Sequence, residues 1–295
     1  MDYVIETSGL TKRFPTKLAV DHIDMHVRRG EIYGLIGKNG AGKTTAMKMI
    51  LGILTPTDGT ISLFGGEDLA TARRRIGSLI EAPGIYKNCS ARENMKRFAL
   101  LAGGEDKIDE LLAFVGLGDV GTRKAGTFSL GMKQRLGIAI ALLGDPELLI
   151  LDEPINGLDP AGIKEIRDMI LTLNHEKGVT FLISSHLLDE LGKIATSYGI
   201  INNGHLIDEA SAEEITRQCT QGIRIAVDAP EKAEAILTAH GFGTYGVKGN
   251  VLLLQADSAC SAEVNELLVT GGVKVSELTV QNNDFEDYFI QRLGN

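Results

Sequence analysis

Short runs of consecutive aliphatic and β-branched residues recur along the first two thirds of the chain: "EIYGLIG" (31–37), "ELLILDEP" (147–154) and "VTFLISSH" (179–186). Their apolar positions are contiguous rather than alternating, which predicts strands covered on both faces in a largely parallel sheet, with helices between them. From about 87 to 145 this signal vanishes. "ARENMKRFALLAG" and "KIDELLAFVGLG" carry a helical period there, which predicts a helical subdomain inserted into an α/β core. From about 220 the texture changes again. "GIRIAVDAP", "VLLLQ" and "VKVSELTV" predict strands, "EKAEAILTAHG" and "SAEVNELLVTGG" helices between them, and "DFEDYFIQRLG" a last helix. The expected division is a domain over 1–218 and a small α+β domain over 219–295.

Composition narrows the picture by exclusion. The net charge of −9 over 295 residues argues against a chain that grips nucleic acid or anionic lipid through its whole surface. The local run Arg73-Arg74-Arg75 reads as a solvated helix face. Cys89, Cys219 and Cys260 are far apart and form no C-x-x-C pair, which suits a reducing cytosol and argues against a metal ribbon. The opening "MDYVIETSGLTKRF" has early acids and no apolar core, unlike a signal peptide. "LGIAIALLG" is the richest apolar run and falls well short of the ~18 residues of a membrane span. A role at a membrane therefore requires a second chain to carry the span, with no direct lipid insertion by this one.

The strongest chemical signal is "GKNGAGKT": Gly37, Lys38, Asn39, Gly40, Ala41, Gly42, Lys43 and Thr44, followed by Thr45. It matches G-x-x-x-x-G-K-[ST] between a predicted strand and a predicted helix. Its glycines let backbone N–H groups converge on phosphate oxygens at a helix N-terminus. Lys43 is placed for the β- and γ-phosphates and Thr44 for Mg²⁺. In "LLILDEP", Asp152 at a strand end is the second metal-side group, and Glu153 is the candidate general base for an attacking water. Two adjacent acids ending an apolar strand are costly without a compensating cation or hydrogen bonds. These residues read as a Mg²⁺-dependent NTPase.

The order of further motifs resembles the ATP-binding-cassette (ABC) ATPases over essentially all of 1–215. "FSLGMKQRLGIA" (128–139) resembles the LSGGQ signature, with Ser129 and Gly131 at matching positions and Phe128, Leu130 and Met132 departing from it. "NGLDP" (156–160) is similar to the D-loop, which carries Asp159. His186 in "SSHLLDE" matches the switch histidine, and Phe14 in "LTKRFP" matches the aromatic that stacks on adenine. The resemblance implies an α/β P-loop NTPase core, a mostly parallel sheet plus an antiparallel β subdomain, with the inserted helical subdomain. It also implies ATP and Mg²⁺ as ligands, and a head-to-tail dimer in which Ser129 and Gly131 of one copy close over ATP on the other. Ser129 is in addition a good N-cap for a helix beginning near Met132, and Asp159 for the helix "PAGIKEIRDMI".

Where the family carries the Q-loop glutamine, this chain has Glu81 in "GSLIEAPG". An amide that donates and accepts becomes an acceptor-only carboxylate. Beside other acids about 4 Å away, at an effective dielectric near 20, the repulsion is on the order of 4 kcal/mol. Glu81 is expected to act as a metal- or water-side contact that couples hydrolysis to the membrane partner; the bland alternative is that it points away. This substitution, "SLGMKQR" and the short C-terminal domain resemble the bacitracin-resistance and lantibiotic-immunity branch. The resemblance thus implies separate permease subunits, a cytoplasmic location at the inner face of the plasma membrane, and export of a peptide antibiotic. Alternatives are another drug, lipid or polysaccharide as cargo, or a soluble ABC ATPase of DNA repair or translation, for which a long coiled-coil insertion is missing. The C-terminal domain carries no charged or aromatic cluster and reads as a structural, dimer-stabilising appendage, the alternative being a regulatory or ligand-sensing module.

Overall fold

The computed structural model describes residues 2–218, 221–256, 258–282 and 289. Two compact units are present, Met1–Ala212 and Glu213–Asn295. The larger begins with strands β1 (Tyr3–Phe14), β2 (Lys17–Ile23), β3 (His26–Arg28) and β4 (Ile32–Ile36), followed by helix α1 (Lys43–Ile50). Then come β5 (Asp58–Leu63), α2 (Leu69–Arg73) and β6 (Ile76–Leu79). The helical segment contains α3 (Ala91–Ala102), α4 (Ile108–Phe114) and α5 (Leu130–Ala141). The core resumes with β7 (Leu148–Asp152), α6 (Pro160–Lys177), β8 (Thr180–Ser185), α7 (Leu188–Gly192), β9 (Ser197–Asn202) and β10 (His205–Ser211), and α8 (Ala212–Gln218) follows.

The principal sheet has the order β10-β9-β4-β8-β7-β6. Its pairs are parallel except for the β10 edge, which runs antiparallel to β9. All five residues of β4, all five of β7 and all six of β8 are buried, as contiguous apolar runs require. The N-terminal strands form a separate antiparallel sheet, with β1 paired to β2, β3 and β5. Met25, Val27, Leu35, Met47, Ile50 and Leu63 join the two sheets in one apolar core across α1. Each such side chain, fully buried, is worth about 1.5–3 kcal/mol.

Local signals set the helix ends. Ser90 and Glu93 form a reciprocal capping box at the start of α3. Asp159 accepts the N–H of Gly162, Pro160 opens α6, and Gly178 closes it with φ 66°. Ser129 caps α5, which starts at Leu130, slightly earlier than the expected start near Met132. Among the described residues no helix is long and apolar enough to cross a membrane.

The arginine run is not a solvated face. Only Arg74 is exposed. Arg73 donates to the carbonyls of Ile50 and Met49 at the end of α1, where the helix dipole favours a cation. Arg75 binds Glu147 and Glu67 and lies 4.0 Å from the Phe64 ring centroid. A helical period reveals spacing but not which carbonyls and carboxylates fold back onto a charged side chain.

The smaller unit contains β11 (Gln221–Val227), α9 (Pro230–Ala239), β12 (Gly243–Lys248), β13 (Val251–Gln255), α10 (Ser261–Thr270) and β14 (Val275–Asn282). The antiparallel order β12-β13-β11-β14 is that of a split β-α-β fold. Ala233 and Leu237 of α9 and Val264 and Leu268 of α10 pack with Ile223, Ile225, Leu252 and Leu254. Strand β12 was not legible, because its two glycines weaken the strand signal. The expected last helix lies outside the described residues, apart from Phe289.

Glu147, at the foot of β7, is held by Arg75 and Arg29, and these hydrogen bonds lower its pKa from 4.5 to about 2. A depressed folded-state pKa stabilises above the unfolded value, and that stability is lost as pH falls through the folded one. Glu147→Gln should therefore be less stable than wild type at neutral pH, with the gap closing between pH 4.5 and about 2. Urea unfolding at stepped pH measures this; a gap that stays constant on acidification contradicts it.

Candidate functional site

Strand β4 delivers the loop 37–42 to the N-terminus of α1, whose N-cap Gly42 has φ 117°. A side chain at Gly42 would bring a Cβ within 2.6 Å of the Ala19 carbonyl oxygen, and one at Gly37 within 2.4 Å of the Ile201 carbonyl oxygen. Glycine is demanded there by the approach of backbone to backbone. The N–H of Gly204 donates to Ala41 O at 2.8 Å and ties the loop to the turn between β9 and β10. Gly37 is buried, while Lys38, Asn39 and Gly40 are exposed. Lys43 is 6% exposed, and its Nζ donates to Gly37 O at 2.7 Å.

Phe14 is 39% exposed, so it is not a core residue. It lines one hollow with Asn39 to Thr45, Lys17 and Glu153. Two neighbours were not expected from the sequence. Lys12 Nζ lies 5.5 Å from the Phe14 centroid, and Lys17 donates to Gly40 O at 3.2 Å.

The two acids end β7 under different constraints. Asp152 is 3% exposed. Its Oδ2 accepts the Thr44 hydroxyl at 2.7 Å and its Oδ1 the Ser184 hydroxyl at 2.5 Å. Glu153 has φ 50°, a left-handed conformation that costs a residue of its type on the order of 1–3 kcal/mol. Its N–H is held by Ser184, at 3.1 Å from the carbonyl oxygen and 3.0 Å from Oγ. Glu153 Oε2 lies 2.7 Å from His186 Nδ1. The other oxygen, Oε1, is buried without a hydrogen-bond partner, 3.3 Å from Lys43 Nζ. The structure thus brings Lys43, Thr44, Asp152, Glu153 and His186 into one cluster. Ser184 was missed: a serine in an apolar strand has no signal of its own until β7 lies beside β8.

Ser129, Gly131 and Asp159 line a different hollow, with Arg135, Gly157 and Glu165. Both Ser129 and Asp159 spend their side chains as helix caps, on Met132 N at 3.3 Å and Gly162 N at 3.2 Å. None of these residues lines the hollow at the phosphate loop.

Glu81 has φ 60° and a 64% exposed side chain, and its Oε1 pairs with Lys48 Nζ at 2.6 Å. The contact is with the last turn of α1, not with the Asp152–Glu153 cluster at its first turn. Lys48 carries no motif, so this partner was invisible in the sequence. A carboxylate next to a lysine escapes the repulsion expected near the other acids.

Residues 20–156 match the ABC transporter family. The bacitracin transport ATP-binding protein BcrA of Enterococcus faecalis is 42% identical over all of this chain and 97% of its own length. The lantibiotic transport ATP-binding protein SrtF of Streptococcus pyogenes is 45% identical over 70% of this chain and 90% of its own. Among solved structures, cbiO1 of Clostridium perfringens, part of the ABC transporter complex cbiONQ, superposes with a TM-score of 0.66. It is 26% identical, over 82% of this chain and 98% of that one.

Gly42→Ala should weaken ATP binding by on the order of tenfold or more, through strain at φ 117° and the clash with Ala19 O. Titration with a fluorescent ATP analogue measures the loss. Wild-type affinity in this variant would contradict the backbone geometry.

Proposed function

This chain belongs to the ABC transporter ATP-binding family, and from that premise we propose that it is one of two identical ATP-hydrolysing subunits driving separate permease chains to export a peptide antibiotic. The observation that carries the catalytic part is the cluster itself. A lysine at the start of α1, a hydroxyl–carboxylate pair and a glutamate–histidine pair share one end of adjacent parallel strands. For the cargo, support comes from relatives named for bacitracin and lantibiotic transport.

Within the cluster each residue has a distinct task. Lys43 gives its ammonium to the β- and γ-phosphates, aided by the N–H groups of the loop and the first turn of α1. Thr44 Oγ1 and the Asp152 carboxylate, 2.7 Å apart, are hard oxygen donors suited to Mg²⁺. Two donors do not fill the shell of Mg²⁺, and phosphate oxygens and water would supply the rest. Bound there, Mg²⁺ would supply charge neutralisation on the phosphates. Glu153 is the general base for the attacking water, and His186 at 2.7 Å orients its carboxylate. Phe14 offers its exposed ring to the adenine.

The second hollow supports the dimer. Ser129 and Gly131 lie at the N-terminus of α5, a natural anion site, yet apart from the phosphate loop of the same chain. In a head-to-tail pair each α5 would close over the ATP held by the other copy, with Asp159 beside it. The chain would then sit at the cytoplasmic face of a membrane through its permease partners. Glu81 lies in the loop that meets the permease. Its pair with Lys48 is the withdrawn position, and release of that pair would accompany coupling.

Glu153→Gln should lower ATP hydrolysis roughly 10²–10⁴-fold while leaving ATP binding intact. In cells expressing the permease, it should abolish protection against bacitracin-like or lantibiotic peptides. Protection that survives the substitution sinks the proposal; loss of transport of an unrelated drug instead would retain the ATPase and reassign the cargo. For coupling, Glu81→Gln and Glu81→Ala should each reduce permease-stimulated ATPase more than basal ATPase. Near-wild-type values for both would remove Glu81 from the mechanism.

A further inference from the structure

Ser184 is fully buried in β8, directly opposite Asp152 in the parallel β7–β8 register. Its hydroxyl uses its one proton on Asp152 Oδ1 at 2.5 Å and accepts the N–H of Glu153 at 3.0 Å. One side chain therefore touches both acids, the first through its carboxylate and the second through its backbone. We infer that Ser184 is a positioning residue that turns the Asp152 carboxylate so that Oδ2 faces Thr44 and the metal side. This inference rests on the ATPase reading above.

The chemistry follows from which atoms are engaged. A carboxylate at a strand end rotates about its terminal torsion through a broad well. Thr44 alone holds Oδ2: its proton goes to the carboxylate and its lone pairs are left for a cation. Ser184 keeps hold of Oδ1, because it is fully buried and does not itself line the hollow. Removing the hydroxyl leaves Oδ1 without its donor and frees the carboxylate to swing. The second N–H acceptor of Glu153, the Ser184 carbonyl at 3.1 Å, survives any substitution at this position. The loss should therefore fall on the metal side and leave the phosphate loop alone. Partners that orient a metal ligand typically change metal affinity by roughly 10–100-fold when removed.

The test compares Ser184→Ala and Ser184→Thr with wild type, using a fluorescent ATP analogue in EDTA and at stepped Mg²⁺, together with steady-state ATPase. For Ser184→Ala the Mg²⁺ concentration giving half-maximal effect should rise roughly 10–100-fold, with affinity in EDTA unchanged. Ser184→Thr, which keeps the hydroxyl, should restore the wild-type requirement. An unaltered Mg²⁺ requirement in Ser184→Ala overturns the assignment. Equal loss of nucleotide affinity with and without Mg²⁺ overturns it too, because it marks general damage to the fold. Absence of ATP binding by the wild-type chain would sink the ATPase reading itself, and this inference with it.

Discussion

Two adjacent carboxylates at the end of a buried strand are the constraint around which the larger unit is built. Asp152 and Glu153 cannot stay in that position without compensation. The structure answers from three directions. Lys43 and Thr44 come from the first turn of α1, Ser184 from β8, and His186 from the segment just beyond β8. The sheet order makes this possible, since β4, β8 and β7 are consecutive neighbours and parallel. All three carboxyl ends therefore open on the same side, where ligands of open α/β sheets bind. The arrangement that balances the acids in the protein is also one that can receive phosphate and a cation.

The compensation is uneven, and the unevenness marks chemistry. Both oxygens of Asp152 are hydrogen-bonded, whereas Glu153 keeps one buried oxygen without a hydrogen bond and a left-handed backbone. That oxygen is 3.3 Å from Lys43 Nζ, so the strained residue is balanced by an ion pair on one side and by His186 on the other. Glu81 shares the left-handed conformation but has an exposed carboxylate on Lys48. Its pair lies largely in solvent and is worth little in stability. Such a contact is suited to being broken when a partner arrives.

Much of this architecture was legible along the chain. Contiguous apolar runs marked β4, β7 and β8, and the disappearance of that pattern marked the helical segment. The glycine-rich loop with Lys43 and Thr44 and the adjacent acids Asp152 and Glu153 were read as a site from their close spacing and flanks, and His186 from the resemblance; the structure brings Lys43, Thr44, Asp152, Glu153 and His186 together. The caps at Ser129 and Asp159 were legible from close spacing too, being interactions over three residues. Strand β12 was hidden by its glycines, and the arginine run was misread because most of its partners are 23 or more residues away.

What the sequence determined by itself is therefore local: which residues form a glycine-rich turn after a strand, cap a helix or end a buried strand. Only the tertiary structure decided which distant groups meet. Ser184 lies 32 residues from Asp152, and Lys48 lies 33 from Glu81, and neither spacing carries information. Pairing of β7 with β8 puts the first couple in register, and the path of the chain past α1 brings the second together. The physical reason is one of range. Propensities, caps and loop glycines act over a few residues, whereas hydrogen bonds and ion pairs between elements exist only after the sheet has fixed its neighbours.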